Sequence, residues 1–152
     1  MKKFLIFCCI TIALTSCSDS HSIDDPNKFG KHIFEKLKGI ATDSKEDFLA
    51  EFLFDDEYNE LVENSSESDR YTFENLEKGY FKIKEKGASY GIKWQDIEYL
   101  DCVYKEKEKE GIQICGGRVF FGFEDTTYKV DFDAVKVDDG YRLTGIGDFR
   151  KD

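Results

Sequence analysis

The chain has 152 residues, a length typical of one domain, and its formal charge of −10 at pH 7 comes from 32 acidic and 22 basic residues. Nucleic-acid binding requires clustered lysine and arginine, so this balance argues against a nucleic-acid partner. It also argues against adhesion to an anionic lipid surface through charge alone, and it favours solubility.

The first 16 residues have the layout of a secretion signal. Lys2 and Lys3 form a short basic region, and residues 4–14 are apolar except for Thr11. This run of about 11 residues is shorter than the roughly 20 that a membrane-spanning helix requires. We therefore interpret residues 1–16 as a cleaved signal. Its removal leaves 20 basic and 32 acidic residues, a charge near −12.

The signal ends in Leu14-Thr15-Ser16-Cys17, which resembles the lipobox of bacterial lipoproteins. In that family the cysteine thiol is lipidated, and cleavage just before the cysteine makes it the first residue of the mature protein. The resemblance implies that Cys17 carries acyl chains such as palmitate. The protein would then be anchored to the bacterial cell envelope, at the outer membrane, by lipid rather than by a spanning helix. The alternative is an ordinary signal peptide with a chance cysteine.

Residues 17–25 predict a flexible tether, because Ile23 is the only apolar residue after the cysteine. The serine and acidic content resembles the signals that direct Bacteroidetes lipoproteins to the cell surface, although His21 and Ser22 interrupt the acids. Both the periplasmic and the surface face of the membrane therefore stay open. Residues 26–152 form the predicted folded domain.

Apolar residues at helical spacing predict three main helices at the start of this domain. The first begins at Asp25-Pro26, an N-cap followed by proline at the first helical position. The second begins at Asp43, with a capping-box partner three residues later. The third spans about residues 69–86 and ends at Gly87.

From Trp94 onward, aromatic and β-branched residues between turn signals predict four strands, at about 94–105, 113–123, 127–137 and 141–148. In the third strand the alternation of apolar residues changes phase between Phe132 and Val135. A β-bulge near Asp133-Ala134 would bring both parts to one face and bend the sheet. Helices followed by an antiparallel meander predict an α+β fold, with the N-terminal helices packed on a curved four-stranded antiparallel sheet.

Cys102 and Cys115 are the two cysteines that remain in the predicted domain. A turn centred between Glu108 and Lys109 would place them directly opposite each other, within the range of a disulfide. Disulfides persist in secreted compartments, so we predict a cross-strand bridge. The alternative is a pair of buried free thiols that pack as small hydrophobic groups.

No catalytic motif stands out, and the sequence predicts no metal site and no cofactor. His21 lies in the tether, and His32 lies beside an apolar helical stripe without a partner motif for a triad. Several glycines fall within strands, where they usually mark bulges or close backbone approach rather than phosphate loops.

Aromatic residues are frequent in the predicted sheet. Rings on a curved sheet that faces helices could line a ligand pocket, or they could form a large core. The candidate pocket residues are Tyr99, Phe121, Phe123, Tyr128, Phe132 and Tyr141.

The order of helices and strands resembles the nuclear-transport-factor-2-like (cystatin-like) superfamily. The run YKVDFDAVKVDDGYRLTGIGDF is similar to the closing hairpin of that family, and the small lipoproteins of Bacteroidetes with this fold are similar too. The resemblance implies a cone in which helices close over the sheet around a cavity. That cavity hosts isomerases, dehydratases or binding proteins, so the fold leaves the function open.

These observations favour a lipid-anchored, non-enzymatic binding module of the cell envelope, whose partner is a protein or a small apolar ligand. One alternative is an anchored protective protein of the immunity type that neutralises a basic partner through its acidic surface. Another is an isomerase or lyase with Asp131 or Asp133 as the base in a cone pocket.

Overall fold

The computed structural model describes residues 25–50, 60, 72–137 and 140–152. The predicted signal, Cys17 and nearly all of the predicted tether lie outside these residues. The elements in chain order are α1 (Pro26–Gly39), α2 (Lys45–Leu49), α3 (Phe73–Ser89), a 3₁₀ turn (Trp94–Asp96), β1 (Glu98–Lys109), β2 (Ile112–Phe123), β3 (Thr126–Val137) and β4 (Gly140–Lys151). Helices pack against a curved four-stranded antiparallel sheet, so the predicted α+β fold is confirmed.

Helix α1 begins at the predicted Asp25-Pro26 position, where Asp25 O accepts a hydrogen bond from Lys28 N at 2.9 Å. Its apolar stripe is fully buried and includes Phe29, Ile33 and Leu37. Gly30 faces β1, because a side chain there would overlap Cys102 and the hydroxyl of Tyr99. This glycine allows α1 to approach β1 closely.

The predicted N-cap of α2 is wrong by one residue. Ser44, not Asp43, is the N-cap, and its side chain accepts a hydrogen bond from Asp47 N at 3.1 Å. Serine and aspartate are both good caps, so the two positions compete, and the extended backbone at Ser44 decides between them.

Helix α3 is capped by Thr72, whose Oγ1 accepts a hydrogen bond from Asn75 N at 3.2 Å. The predicted end at Gly87 is wrong, because Gly87 is buried within the helix and leaves room for the indole of Trp94. The helix continues to Ser89, and Gly91 at φ +69° reverses the chain.

Strand β1 begins and ends about four residues later than predicted, because the residues after Trp94 form the 3₁₀ turn. The β1–β2 turn is at Glu110-Gly111, with φ values of +54° and +81°. A type I′ hairpin turn has positive φ at both central positions, and glycine adopts this conformation readily, so Glu110-Gly111 suits the turn better than Glu108-Lys109. Lys109 consequently pairs with Ile112.

The four strands lie in the order β1-β2-β3-β4, so β1 and β4 are the edges. A register shift occurs near Asp133-Ala134, as predicted, but the additional residue is Thr144 on β4. Strand β3 keeps its alternation, so the prediction that Val135 joins Phe132 on one face is wrong. Val135 is buried but lies outside the main core.

The core fills the space between the helices and the face of the sheet toward which they pack, which we call the inner face. A triangle of rings lies at its centre: Phe121 stacks on Tyr128 at 5.7 Å and on Phe149 at 5.8 Å between centroids. Helix α1 packs against β1 and β2, and α3 packs against β4. The opposite side of the sheet, the outer face, has no described helix packed across it.

In the described residues, no helix is long and apolar enough to cross a membrane.

Candidate binding site on the outer face

The six candidate pocket residues all lie in the core or against it, and their rings contact one another and the helices. Phe29 of α1 packs on Phe132 and on Tyr141, at 5.8 Å between centroids in each case. Tyr99 packs edge-on against Phe34 at 5.6 Å. This packing is that of an aromatic core, in which each ring meets its neighbours in tilted, stacked or edge geometry.

Tyr141 closes the inner face at the end near the β1–β2 hairpin. Its hydroxyl donates a hydrogen bond to a carboxylate oxygen of Glu106, although these residues belong to the two edge strands. The row between them contains Cys115 and Ala134, whose small side chains leave room for the ring. Burial and this hydrogen bond raise the pKa of Tyr141 to about 12, so the phenol stays protonated as the donor.

The predicted disulfide does not form in the structure, where Cys102 and Cys115 are free thiols. Cys102 pairs with Val119, and Cys115 pairs with Glu106. The two cysteines share the inner face but lie four positions apart along the sheet, about 13 Å at the usual rise per residue. A disulfide requires Cα atoms within about 7 Å. The turn at Glu110-Gly111, two residues later than predicted, places Glu106 rather than Cys102 opposite Cys115.

Asp131 and Asp133 lie on the outer face. They alternate with Val130, Phe132 and Ala134, which are all buried in the core, and side chains alternate between the faces of a strand. The hypothesis that either aspartate acts as a base inside the cone is therefore wrong in its placement.

Two neighbouring rows of residues cross the outer face from β1 to β4. The register gives the first row as Val103, Arg118, Asp131 and Gly147, and the second as Lys105, Gly116, Asp133 and Gly145. The first row contains Gly147, and the second contains Gly116 and Gly145. Because these three residues have no side chain, the surface of the sheet forms a depression around them. A side chain added at Gly147 would meet nothing within 4 Å.

The half of this surface next to β1 is a groove of about 420 Å³, which we call the β1 groove. Gly116 and Gly117 form its floor. The other lining residues are Val103, Tyr104, Lys105, Arg118, Asp131, Phe132 and Asp133. Among them, Tyr104 and Phe132 belong with Gly117 to a row of the inner face. One candidate pocket residue, Phe132, therefore does line a depression, although not one inside a cone.

Arg118 and Arg150 hold the carboxylate of Asp131 between them. Arg118 Nε donates to Asp131 Oδ1 at 2.5 Å, and Arg150 NH1 donates to Asp131 Oδ2 at 3.2 Å. Arg150 also donates to the carboxylate of Asp148. The hydrogen bond with Asp131 raises the pKa of Arg118. Paired arginine and carboxylate groups have a specific geometry, so these contacts orient the side chains between the two halves of the surface.

The half next to β4 is a cleft of about 290 Å³, which we call the β4 cleft. It shares Asp131 and Asp133 with the β1 groove and extends round β4 to the start of α3. Its remaining walls are Thr72, Asn75, Leu76 and residues 144–148. Thr144 is 1% exposed, and its hydroxyl has no hydrogen-bond partner among the described residues.

Strand β1 forms an open edge beside the β1 groove. Leu100 and Val103 are 50% and 49% exposed, and Tyr104 is also exposed. Leu100 is the additional residue at the register shift in β1 and lies over Gly122 on the outer face. The rest of the strand, from Lys105 to Lys109, alternates lysine and glutamate, a pattern that protects an edge from pairing with other chains.

Sequence reasoning missed this surface, although two signals could have found it. The alternation of β3 places Asp131 and Asp133 on one face and the apolar residues on the other. The strand glycines Gly116, Gly145 and Gly147 indicate a close approach or a depression. The pairing of the rows depends on hairpin registers, which the predicted β1–β2 turn had misplaced.

No protein-family model matches the chain, and a comparison with curated proteins finds no similar sequence. A comparison with solved structures finds a cystatin-like protein from Ruminococcus gnavus, with a TM-score of 0.39 and 16% sequence identity. The match covers 83% of this chain and 42% of the other, so this chain spans less than half the length of that protein.

Alkylation of Cys102 and Cys115 tests the packing and the strand register of the inner face. Burial raises the pKa of Cys102 to about 11 and that of Cys115 to about 12. Only the thiolate is nucleophilic, so iodoacetamide at pH 8 should modify the folded protein slowly. In denaturant without reductant, mass spectrometry should find both cysteines alkylated. A bridged pair, protected from alkylation in denaturant, would contradict the observed register.

The burial of the Cys115 thiol also makes the free energy of unfolding depend on pH in the alkaline range. Above pH 9.0, the ordinary value for the thiol, the unfolded chain loses the Cys115 proton while the folded chain keeps it. The free energy of unfolding should therefore fall by up to about 1.4 kcal/mol per pH unit from this group as the pH rises towards 12. A Cys115→Ala variant, measured alongside by urea unfolding, should show a smaller decrease.

Proposed function

We propose that this protein is a non-enzymatic binding module that holds a segment of a protein partner on the outer face of its sheet. The observation that carries the proposal is the β1 groove with its exposed apolar edge. The inner face, where a cone pocket would lie, is occupied by packed rings instead.

The form of the β1 groove favours a protein segment over a small apolar ligand. Small-molecule sites are enclosed and mostly apolar, whereas Lys105, Arg118 and Asp133 line this open groove. A peptide supplies both polar backbone groups for such walls and side chains for the exposed Leu100 and Val103. A partner can also pair its backbone with the free edge of β1, since edge strands recruit peptides in this way.

The position of the apolar residues along β1 supports the same conclusion. The half of the strand from Lys105 onward carries alternating charges that discourage edge pairing. The half that contains Leu100, Val103 and Tyr104 lacks lysine and exposes apolar surface instead. Such a patch beside a groove is typical of an interaction site.

We also propose that the module is a Bacteroidetes-type lipoprotein, anchored through lipid at Cys17 in the outer membrane of a bacterial cell envelope. The support is the sequence: a short signal that ends at a lipobox, followed by a polar tether. Residues 17–25 extend to at most about 30 Å, so the domain would act on partners close to the membrane.

Site-specific photo-crosslinking in the native host tests the binding face. A benzophenone side chain at position 103 should give a discrete adduct with one protein, and the same group at exposed Lys82 on α3 should not. Leu100→Glu should abolish the adduct at position 103 without lowering the melting temperature, because Leu100 is half exposed. Equal labelling from both positions, or an adduct with only a small molecule, would contradict the proposal.

Membrane fractionation tests the anchor. Cys17→Ser should leave the protein unprocessed or release it from membranes, because no thiol remains for the lipid. Ser20→Ala in the tether is the matched control and should remain processed and membrane-bound. The anchoring proposal fails if the Cys17→Ser protein is still processed and bound.

A further inference from the structure

We infer that the β4 cleft binds the cationic end of a lysine or arginine side chain, and that Thr144 provides a hydrogen-bond acceptor for it. The inference rests on the proposed binding function of the outer face, and it names the chemistry of the partner at a second point of that face.

The first observation is the hydroxyl of Thr144. Buried polar groups in folded proteins nearly always have a hydrogen-bond partner, and each exception calls for an explanation. Thr144 is the additional residue of the β4 bulge, lines the cleft and is 1% exposed. In the part of the chain that the structure describes, its Oγ1 has no partner. A ligand in the cleft would supply one.

The second observation is the charge of the walls. Among the described residues that line the cleft, Asp131, Asp133 and Asp148 are acidic and none is basic. Arg118 and Arg150 pair with Asp131, and Arg150 pairs with Asp148, but neither arginine is among the described lining residues, so the described walls carry acceptors and no cationic side chain. Acceptors of this kind select a donor with a positive charge, which hydrogen-bonds more strongly than a neutral donor.

The third observation is size and continuity. A volume of about 290 Å³ lies at the lower end of ligand pockets, which suits one long side chain. The cleft meets the β1 groove at Asp131 and Asp133. A segment that lies in the β1 groove can therefore place a basic side chain in the cleft without leaving the surface of the sheet.

The Gly145 and Gly147 positions keep the cleft open. Each is the β4 member of one of the two rows, opposite Asp133 and Asp131 respectively. Space above Gly147 is free for at least 4 Å. A valine at this position would add bulk to the wall of the cleft, and its Cβ would meet no other part of the fold within 4 Å.

NMR titration of the ¹⁵N-labelled full chain tests the inference. The probe is N-acetyl-lysine methylamide, and N-acetyl-norleucine methylamide is the matched control, which has the same aliphatic chain without the ammonium. The lysine probe, at up to about 50 mM, should shift the amide signals of residues 144–148 in a saturating manner, and the norleucine probe should not. Loss of one charged hydrogen bond in Thr144→Val should weaken binding about tenfold or more.

Two controls separate binding from folding. Thr144→Val should raise the melting temperature, because it removes a buried hydroxyl without a partner, so its weaker binding would not reflect damage to the fold. Thr127→Val on β3, outside the cleft, should bind the lysine probe like the unmodified chain. Gly147→Val should abolish the shifts.

Three outcomes would overturn the inference: no shift at residues 144–148, equal shifts with both probes, or unchanged affinity in Thr144→Val. These outcomes are distinct from a failure of the proposed function. If the lysine probe fails while the adduct at position 103 persists, the β1 groove remains the binding site and the cleft has no part in it. If the lysine probe binds but no adduct forms at position 103, the inference about the β4 cleft is supported and the proposal of partner binding in the β1 groove is contradicted.

Discussion

Packing of aromatic rings between the helices and the inner face of the sheet is the constraint on which the rest of this structure depends. Phe121, Tyr128 and Phe149 all contact one another, and Trp94 of the 3₁₀ turn packs on Phe149 at 5.7 Å between centroids. Each such ring buries about 150–250 Å² and gains further from its geometry. Since these contacts fill the inner face, the proposed binding site lies on the other side of the sheet.

Glycines contribute both to the close packing of the inner face and to the depressions of the outer face. On the inner face, Gly117 leaves room for the ring of Phe132, and Gly79 allows α3 to reach the carbonyl oxygen of Ile146. On the outer face, Gly116 lies next to the carboxylate of Asp133 in the β1 groove, and a side chain added at Gly147 would meet nothing within 4 Å. The same residue type thus closes one side of the sheet and opens the other. The ion pair between Arg118 and Asp131 orients two side chains on the open side.

The sequence predicted the order of elements, the α+β class and most strand boundaries, because apolar periodicity and turn residues are local signals. It predicted the start of α1 from Asp25-Pro26 and the register shift near Asp133. It could not predict the hairpin register, since one glycine, Gly111, fixed the turn two residues beyond the assumed centre. That error produced the disulfide prediction. The proposed binding surface could not be predicted, because it is formed by rows of residues across strands, and only correct registers bring those rows together.

The central claim is that the inner face is closed by packing and that the outer face is open at the β1 groove and the β4 cleft. Urea unfolding of Gly117→Ala and Gly147→Ala tests it most directly, because these glycines lie in neighbouring rows of one sheet on opposite faces. We predict that Gly117→Ala lowers the free energy of unfolding by about 1–3 kcal/mol through overlap with Phe132. Gly147→Ala should leave it unchanged or raise it by up to about 1 kcal/mol. Equal losses in both variants, or no loss in Gly117→Ala, would contradict the account.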